Sequence, residues 1–174
     1  MITGVAAVLD CHNGHQMRLI VVRHGIAVAK RRWDGPDADR PLTANGARQA
    51  KALAGRLARY QPTQIISSPT LRCRQTVEPL AARTGTRIEE SRQLGVDAGD
   101  RAFALLHRLV TTSRQSTTVV LCTHREVLVE AVLALAEEFE VTLHHRPPGA
   151  KGAYWTFRFR GDGLASHKYT RLNR

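Results

Sequence analysis

The chain has 174 residues, 43% of them hydrophobic, and no run approaches the roughly 18–20 apolar residues that a membrane span requires, so it reads as one globular domain of ordinary size. Its 26 Lys+Arg against 15 Asp+Glu give a net charge of +11, a field that draws anions of every kind without naming one. With neither an RNA-binding signature nor a basic stripe interleaved with aromatics, nucleic acid is not the expected partner; binding through the basic surface would show as salt-dependent retention on DNA.

Residues 1–16 lack the charged start and apolar core of a secretory signal and read as a flexible extension ahead of a domain over 17–174. Cys11, Cys73 and Cys122 are odd in number and widely spaced, giving no disulfide framework and pointing to a reducing, cytoplasmic location. Cys11, His12 and His15 offer three metal ligands without a fourth and are not read as a zinc site. Arg18 to Val22 is a short apolar run suited to a buried parallel strand. Gly25 to Asp39 is loop, with Gly35 and Pro36 as breakers. Thr43 is placed to cap a helix to about Tyr60, on which Ala47, Ala50, Leu53, Ala54 and Leu57 are expected to share one face. Gln64 to Ser67 reads as a second strand, Thr70 to Ala82 as a helix stopped by Gly85, and Arg87 to Glu89 as a short strand.

Asp100 opens a helix in which Ala102, Leu105, Leu106, Leu109 and Val110 recur at helical spacing. Thr117 to Cys122 is β-branched and apolar, a strand running into Thr123, His124 and a helix over Arg125 to Glu138. His144 and His145 then read as a loop pair. Tyr154 to Arg160 alternates at period two, and Gly161-Asp162-Gly163 turns it into a last strand over Leu164 to Tyr169. This order predicts an α/β three-layer sandwich: a mostly parallel central sheet, helices on both faces and a C-terminal β-hairpin.

In such sheets reactive groups collect at the carboxyl ends of the strands. Arg23-His24-Gly25 ends the first strand. A neutral imidazole attacks phosphorus if its other nitrogen is held as a donor. Arg23 offers a planar fork for phosphate oxygens, and Gly25 has no Cβ to block close approach. Ser68-Pro69-Thr70-Leu71-Arg72 follows the second strand at a helix N-terminus, and Thr123-His124 ends the strong strand before the last helix. Singly, each has a plainer reading: a polar strand end, a surface arginine, a bonded core histidine. Together at three strand ends they point to phosphoryl chemistry.

These segments, with Gln75-Thr76, Arg40-Pro41-Leu42-Thr43 and Gly46, resemble the histidine phosphatase (phosphoglycerate mutase-like) superfamily in order and spacing, over about Arg18 to Leu135. The resemblance implies a metal-independent phosphatase in which His24 is transiently phosphorylated and Arg23, Arg72 and His124 grip the phosphoryl oxygens, with Gly25 and Thr123 near the substrate. It calls for no metal and no cofactor, and for a phosphorylated small molecule or phosphoprotein as partner. A weakly active or inactive phosphate-binding regulatory module is the alternative. The length is similar to that of the short bacterial phosphohistidine phosphatases, and the Lys30-to-Gly35 loop to the histidine phosphatase domain found beside Nudix domains in MutT-type proteins. Lys30 and Arg32 are candidates to hold further phosphates, with Trp33 stacking on a base or simply packed on the domain. One departure stands out. Where many members carry a proton-donating glutamate this chain reads Gln93-Leu94, so Glu90 or Asp97 would have to substitute. Without such an acid, a phosphoanhydride or phosphohistidine is favoured over a phosphosugar, because phosphate and imidazole leave as weaker bases than an alkoxide.

Overall fold

A computed structural model describes residues 16–112, 116–143, 147–161 and 163–172. The Cys11, His12, His15 group, the His144-His145 pair and Asp162 lie outside them. Ten elements alternate as expected: β1 (Gln16–Arg23), α1 (Ala44–Leu57), β2 (Gln64–Ser67), α2 (Leu71–Thr84), β3 (Ile88–Glu90), α3 (Asp100–Thr112), β4 (Thr117–Thr123), α4 (Arg125–Glu138), β5 (Tyr154–Arg160) and β6 (Gly163–Thr170). The sheet order is β3-β2-β4-β1-β5-β6. Its first four strands are parallel, and β5 and β6 are antiparallel additions. No helix among the described residues is long and apolar enough to cross a membrane.

The helices bury both faces of the sheet. On one face Ile20, Val22, Ile65 and Val120 pack with Leu53, Leu57, Val77 and Leu80 of α1 and α2. On the other, Leu19, Val21, Val119 and Leu121 pack with Leu105 and Leu106 of α3, Leu128 and Leu135 of α4, and Trp155, Phe157 and Phe159 of β5. The period-two pattern of β1 and β5 supplies both halves, because successive side chains point to opposite faces.

Helix ends follow their capping residues. The Thr43 side chain accepts from Gly46 N–H at the start of α1, and Gly85 ends α2 in the left-handed conformation at φ 70°. The buried face of α1 is Gly46, Ala50, Leu53, Ala54 and Leu57. Ala47, expected on that face, is exposed, because the stripe begins one position earlier, where only glycine fits. A Cβ on Gly46 would lie 2.1 Å from the Ile26 carbonyl oxygen. The expected loop after β1 folds back on itself. Ala27 bridges Leu42, and Thr43 N–H donates to Ile26 O, clasping the neck of the excursion that follows His24.

Candidate active site

The order β2-β4-β1 sets the carboxyl ends of these three strands side by side, so Ser67-Ser68, Thr123-His124 and Arg23-His24 become neighbours. His24 N–H donates to Thr123 O, and Ser68 N–H to Cys122 O, extending the ladder just past the strand ends. The His24 and His124 rings meet edge-on with centroids 5.4 Å apart. Both are buried, at 7% and 2% exposure, as is Arg72 at 2%.

Hydrogen-bond partners fix both imidazoles. His24 Nδ1 lies 2.8 Å from Gly25 O; a carbonyl only accepts, so Nδ1 carries the proton and Nε2 keeps its lone pair. Burial pushes the His24 pKa from 6.5 down to about 4, opposed by the neighbouring Cys73 and the Gly25 hydrogen bond and assisted by the nearby His124 and Arg72. The ring is therefore neutral at physiological pH. At His124, Arg72 Nη2 approaches Nδ1 at 3.4 Å, and a guanidinium only donates. That leaves Nε2–H to donate to Ser68 Oγ, 3.0 Å away.

The cationic groups are set by the same elements. Arg72, in the first turn of α2, donates through Nη1 to Asp37 O at 2.6 Å and pairs through Nη2 with Asp37 Oδ2 at 3.0 Å. Arg23 Nη1 donates to Gly149 O, and burial lowers the Arg23 pKa against the opposing charge of Glu126. Arg23 Nε and Arg72 Nε are buried N–H groups with no hydrogen-bond partner among the described residues. Such a donor costs about 1–3 kcal/mol unless something accepts from it.

Gly25 N–H donates to Thr76 Oγ1 at 3.0 Å, and Thr76 in turn donates to Arg72 O at 2.6 Å. One buried hydroxyl thus ties the His24 loop to the Arg72 turn. Thr123 turns its hydroxyl to Leu94 O at 2.8 Å, anchoring the short Arg92–Leu94 turn to β4. Lys30 and Arg32 are exposed on a 3-10 turn, and neither side chain has a hydrogen bond or ion pair among the described residues. Trp33 is half-buried, its ring against Gly35 and its Nε1–H on Pro36 O. It packs on its own loop.

Neither carboxylate named as a substitute acid has a hydrogen bond to His24, Arg72 or His124 among the described residues. Glu90 pairs with Arg74 at 3.1 Å, and Asp97 is exposed with its carbonyl on Arg101. Gln93 Nε2 donates to Arg101 O at 3.2 Å. Asp37, which no spacing singled out, is the carboxylate on Arg72. Burial pushes its carboxyl up, but the Arg40 hydrogen bond and the Arg72 and Arg40 charges outweigh it and hold the group below the usual range. Ser68 and Thr76 had signalled only through the motif they share with Arg72. Cys73 was also unmarked; its Sγ is 3.8 Å from His124 Nε2. Among the described residues no three His, Cys, Asp or Glu side chains group as a metal site would need.

Comparison with known proteins finds relatives of the segment that carries the first two motifs and of the fold. The family model for the histidine phosphatase superfamily (branch 1) matches residues 19–95. An 8-oxo-(d)GTP phosphatase of Mycolicibacterium smegmatis is 30% identical over 159 residues, covering 87% of this chain and 47% of that protein. The chain spans less than half the length of the curated relatives it matches. Among solved structures, the protein histidine phosphatase SixA complexed with tungstate has a TM-score of 0.69 at 22% identity, covering 89% of this chain and 95% of SixA. A mycobacterial glucosyl-3-phosphoglycerate phosphatase has a TM-score of 0.66 at 20% identity, covering 89% and 97%. Both share the fold. Nothing in these comparisons supports the narrower likeness to the domain found beside Nudix domains. The fold, the three strand-end motifs and the matched segment all resemble those of the histidine phosphatase superfamily.

Proposed function

We propose that the protein is a metal-independent phosphohydrolase that works through a phosphohistidine on His24. The observation that carries this reading is the His24 ring itself: buried, neutral, its Nδ1 proton bound to Gly25 O and its Nε2 lone pair free. Nε2 attacks phosphorus in line, forming a P–N bond as the bond to the leaving oxygen or nitrogen breaks. Water then attacks the phosphorus and displaces Nε2, which regains its lone pair as inorganic phosphate departs. Arg72, Arg23 and His124 stabilise charge on the equatorial oxygens, where most phosphoryl-transfer catalysis arises. The unpartnered Nε–H groups of both arginines suit that task. Gly25 and Thr123 act through the backbone around the two histidines.

The favoured substrate is a phosphoanhydride, such as a nucleotide, or a phosphohistidine protein. Gln93 carries no acidic proton, Glu90 is paired with Arg74, and Asp37 is held ionised by its arginines. With Asp97 exposed on the turn before α3, no carboxylic acid among the described residues is held at the site, which favours a leaving group that departs with little proton assistance, as phosphate and imidazole do and a sugar alkoxide does not. The M. smegmatis relative is named for 8-oxo-(d)GTP and one fold neighbour for protein histidine phosphatase activity, while another is named for glucosyl-3-phosphoglycerate, so the choice rests on the missing acid. Lys30 and Arg32, exposed on the loop after His24, would hold the distal phosphates of a nucleotide. Hydrolysis of nucleoside polyphosphates, a phosphohistidine peptide and 3-phosphoglycerate should be compared side by side. Preference for either of the first two supports the assignment, and preference for 3-phosphoglycerate refutes it. A His24→Ala variant that hydrolyses a generic phosphoester as fast as wild type would leave only the phosphate-binding regulatory reading.

A further inference from the structure

The net charge of +11 is not evenly spread. β1, α1, β5, β6 and the turn over residues 58–60 contain Lys and Arg but not one Asp or Glu. The sheet order brings these elements together: β5 and β6 extend the sheet beyond β1, while α1 and α2 cover the strands before them. On the α1 side of the hairpin that leaves a strip that no element among the described residues covers. Register places Thr156 opposite Lys168 and Arg158 opposite Ser166 along it, while the alternate residues Trp155, Phe157 and Phe159 turn into the opposite core.

Two adjoining hollows of about 390 Å³ each follow this strip and share Arg18, Tyr60 and Arg158. One wall is the end of α1 and the turn after it, with Arg56 and Arg59; the other is the hairpin, with Arg158 and Lys168. Among the described residues neither hollow is lined by an acidic side chain, nor by any residue of the histidine site. Among the described residues none of these cations is ion-paired. The Arg18 and Arg59 guanidinium groups lie 4.6 and 4.8 Å from the Tyr60 ring centroid, which holds both forks in place.

We propose that this trough binds the phosphodiester backbone of a nucleic-acid strand, without reading its bases. With Arg160, which lines the first hollow, five of its six cations are arginines, whose planar forks match phosphate oxygens. The seven residues of β5 span about 20 Å, room for several consecutive phosphates. The hydroxyls of Thr156, Ser166 and Thr170 line the same wall as further donors. A bilayer fits less well: among the described residues the exposed large apolar ones, Val96 and Leu133, line neither hollow. Because Tyr60 is engaged by two guanidinium groups, it is not free to stack on a base. The pattern is invisible along the sequence because its cations come from four separated segments.

The test is fluorescence anisotropy of the full chain with labelled single-stranded DNA and RNA of about 20 nucleotides, between about 50 and 200 mM salt. Engaging four or five phosphates predicts a log–log salt slope of about −3 and so a loss of affinity of about 60-fold across that range. The Arg56→Ala/Arg158→Ala/Lys168→Ala variant changes only exposed side chains. It should bind at least tenfold more weakly, with a slope shallower by about 2, while melting temperature and hydrolysis of p-nitrophenyl phosphate stay as in wild type. Binding of either strand type with these effects supports the proposal. No binding at the lower salt, equal binding by the variant, or capture by anionic vesicles or polyglutamate but not by oligonucleotides overturns it.

Discussion

The depressed His24 pKa makes stability itself a reporter of the site. The folded imidazole titrates near 4 and the unfolded one near 6.5. Between these values the unfolded chain binds more protons, so His24 protonation destabilises the fold as pH falls through 6.5 and saturates below about 4. At 1.36 kcal/mol per unit the full effect is about 3 kcal/mol, of which about 2.5 is lost between pH 7.5 and 4.5. Replacing His24 by Asn keeps an amide donor for Gly25 O and removes the titration. Urea unfolding of both proteins across that range, with m-values checked for constancy, isolates the term as a difference. The wild-type curve should drop about 2.5 kcal/mol further than the variant's. Parallel curves would show that His24 titrates as an ordinary exposed imidazole, and the neutral, buried nucleophile would be refuted.

Other parts of the site have their own signatures. Asp37→Asn keeps the carbonyl contact with Arg72 but removes a negative charge 3.0 Å from its fork. Inorganic phosphate and vanadate should then inhibit several-fold to about tenfold more tightly, roughly 1 kcal/mol for a half-exposed carboxylate; unchanged inhibition constants would place the anion away from Arg72. Gly46→Ala drives a methyl to 2.1 Å from Ile26 O, the acceptor that clasps the His24 loop. The overpacking should cost about 1–3 kcal/mol and lower Tm by several degrees, with kcat falling more than KM rises. A variant as stable as wild type would mean the loop yields freely. Lys30→Ala with Arg32→Ala should raise KM for a nucleoside triphosphate far more than for p-nitrophenyl phosphate, and equal effects would remove the loop from substrate binding.

Strands β1 and β4 were legible because a buried parallel strand reads as a continuous β-branched run, and β5 because one face is buried while the other is polar. His24, Arg72 and His124 were legible as the polar residues that end or follow such runs. Contacts made across the fold were not. Asp37 meets Arg72 only because the 27–42 excursion closes on itself, and Ser68 meets His124 only because β2 lies beside β4. The one-position error on α1 has the same origin. Gly46 counts for nothing in a hydrophobic pattern, yet it is the buried residue that lets Ile26 approach. Composition likewise recorded the positive charge but not the run of cations that the fold gathers between α1 and the hairpin.

The central claim is that one phosphoryl group passes through His24 Nε2. Mixing the enzyme with a substrate carrying a labelled phosphoryl group and quenching in base within milliseconds tests it directly. The account predicts up to one label per chain, stable in base, lost in acid and absent from His24→Ala. Label retained by that variant, or full turnover by a chain that never acquires label, would contradict it.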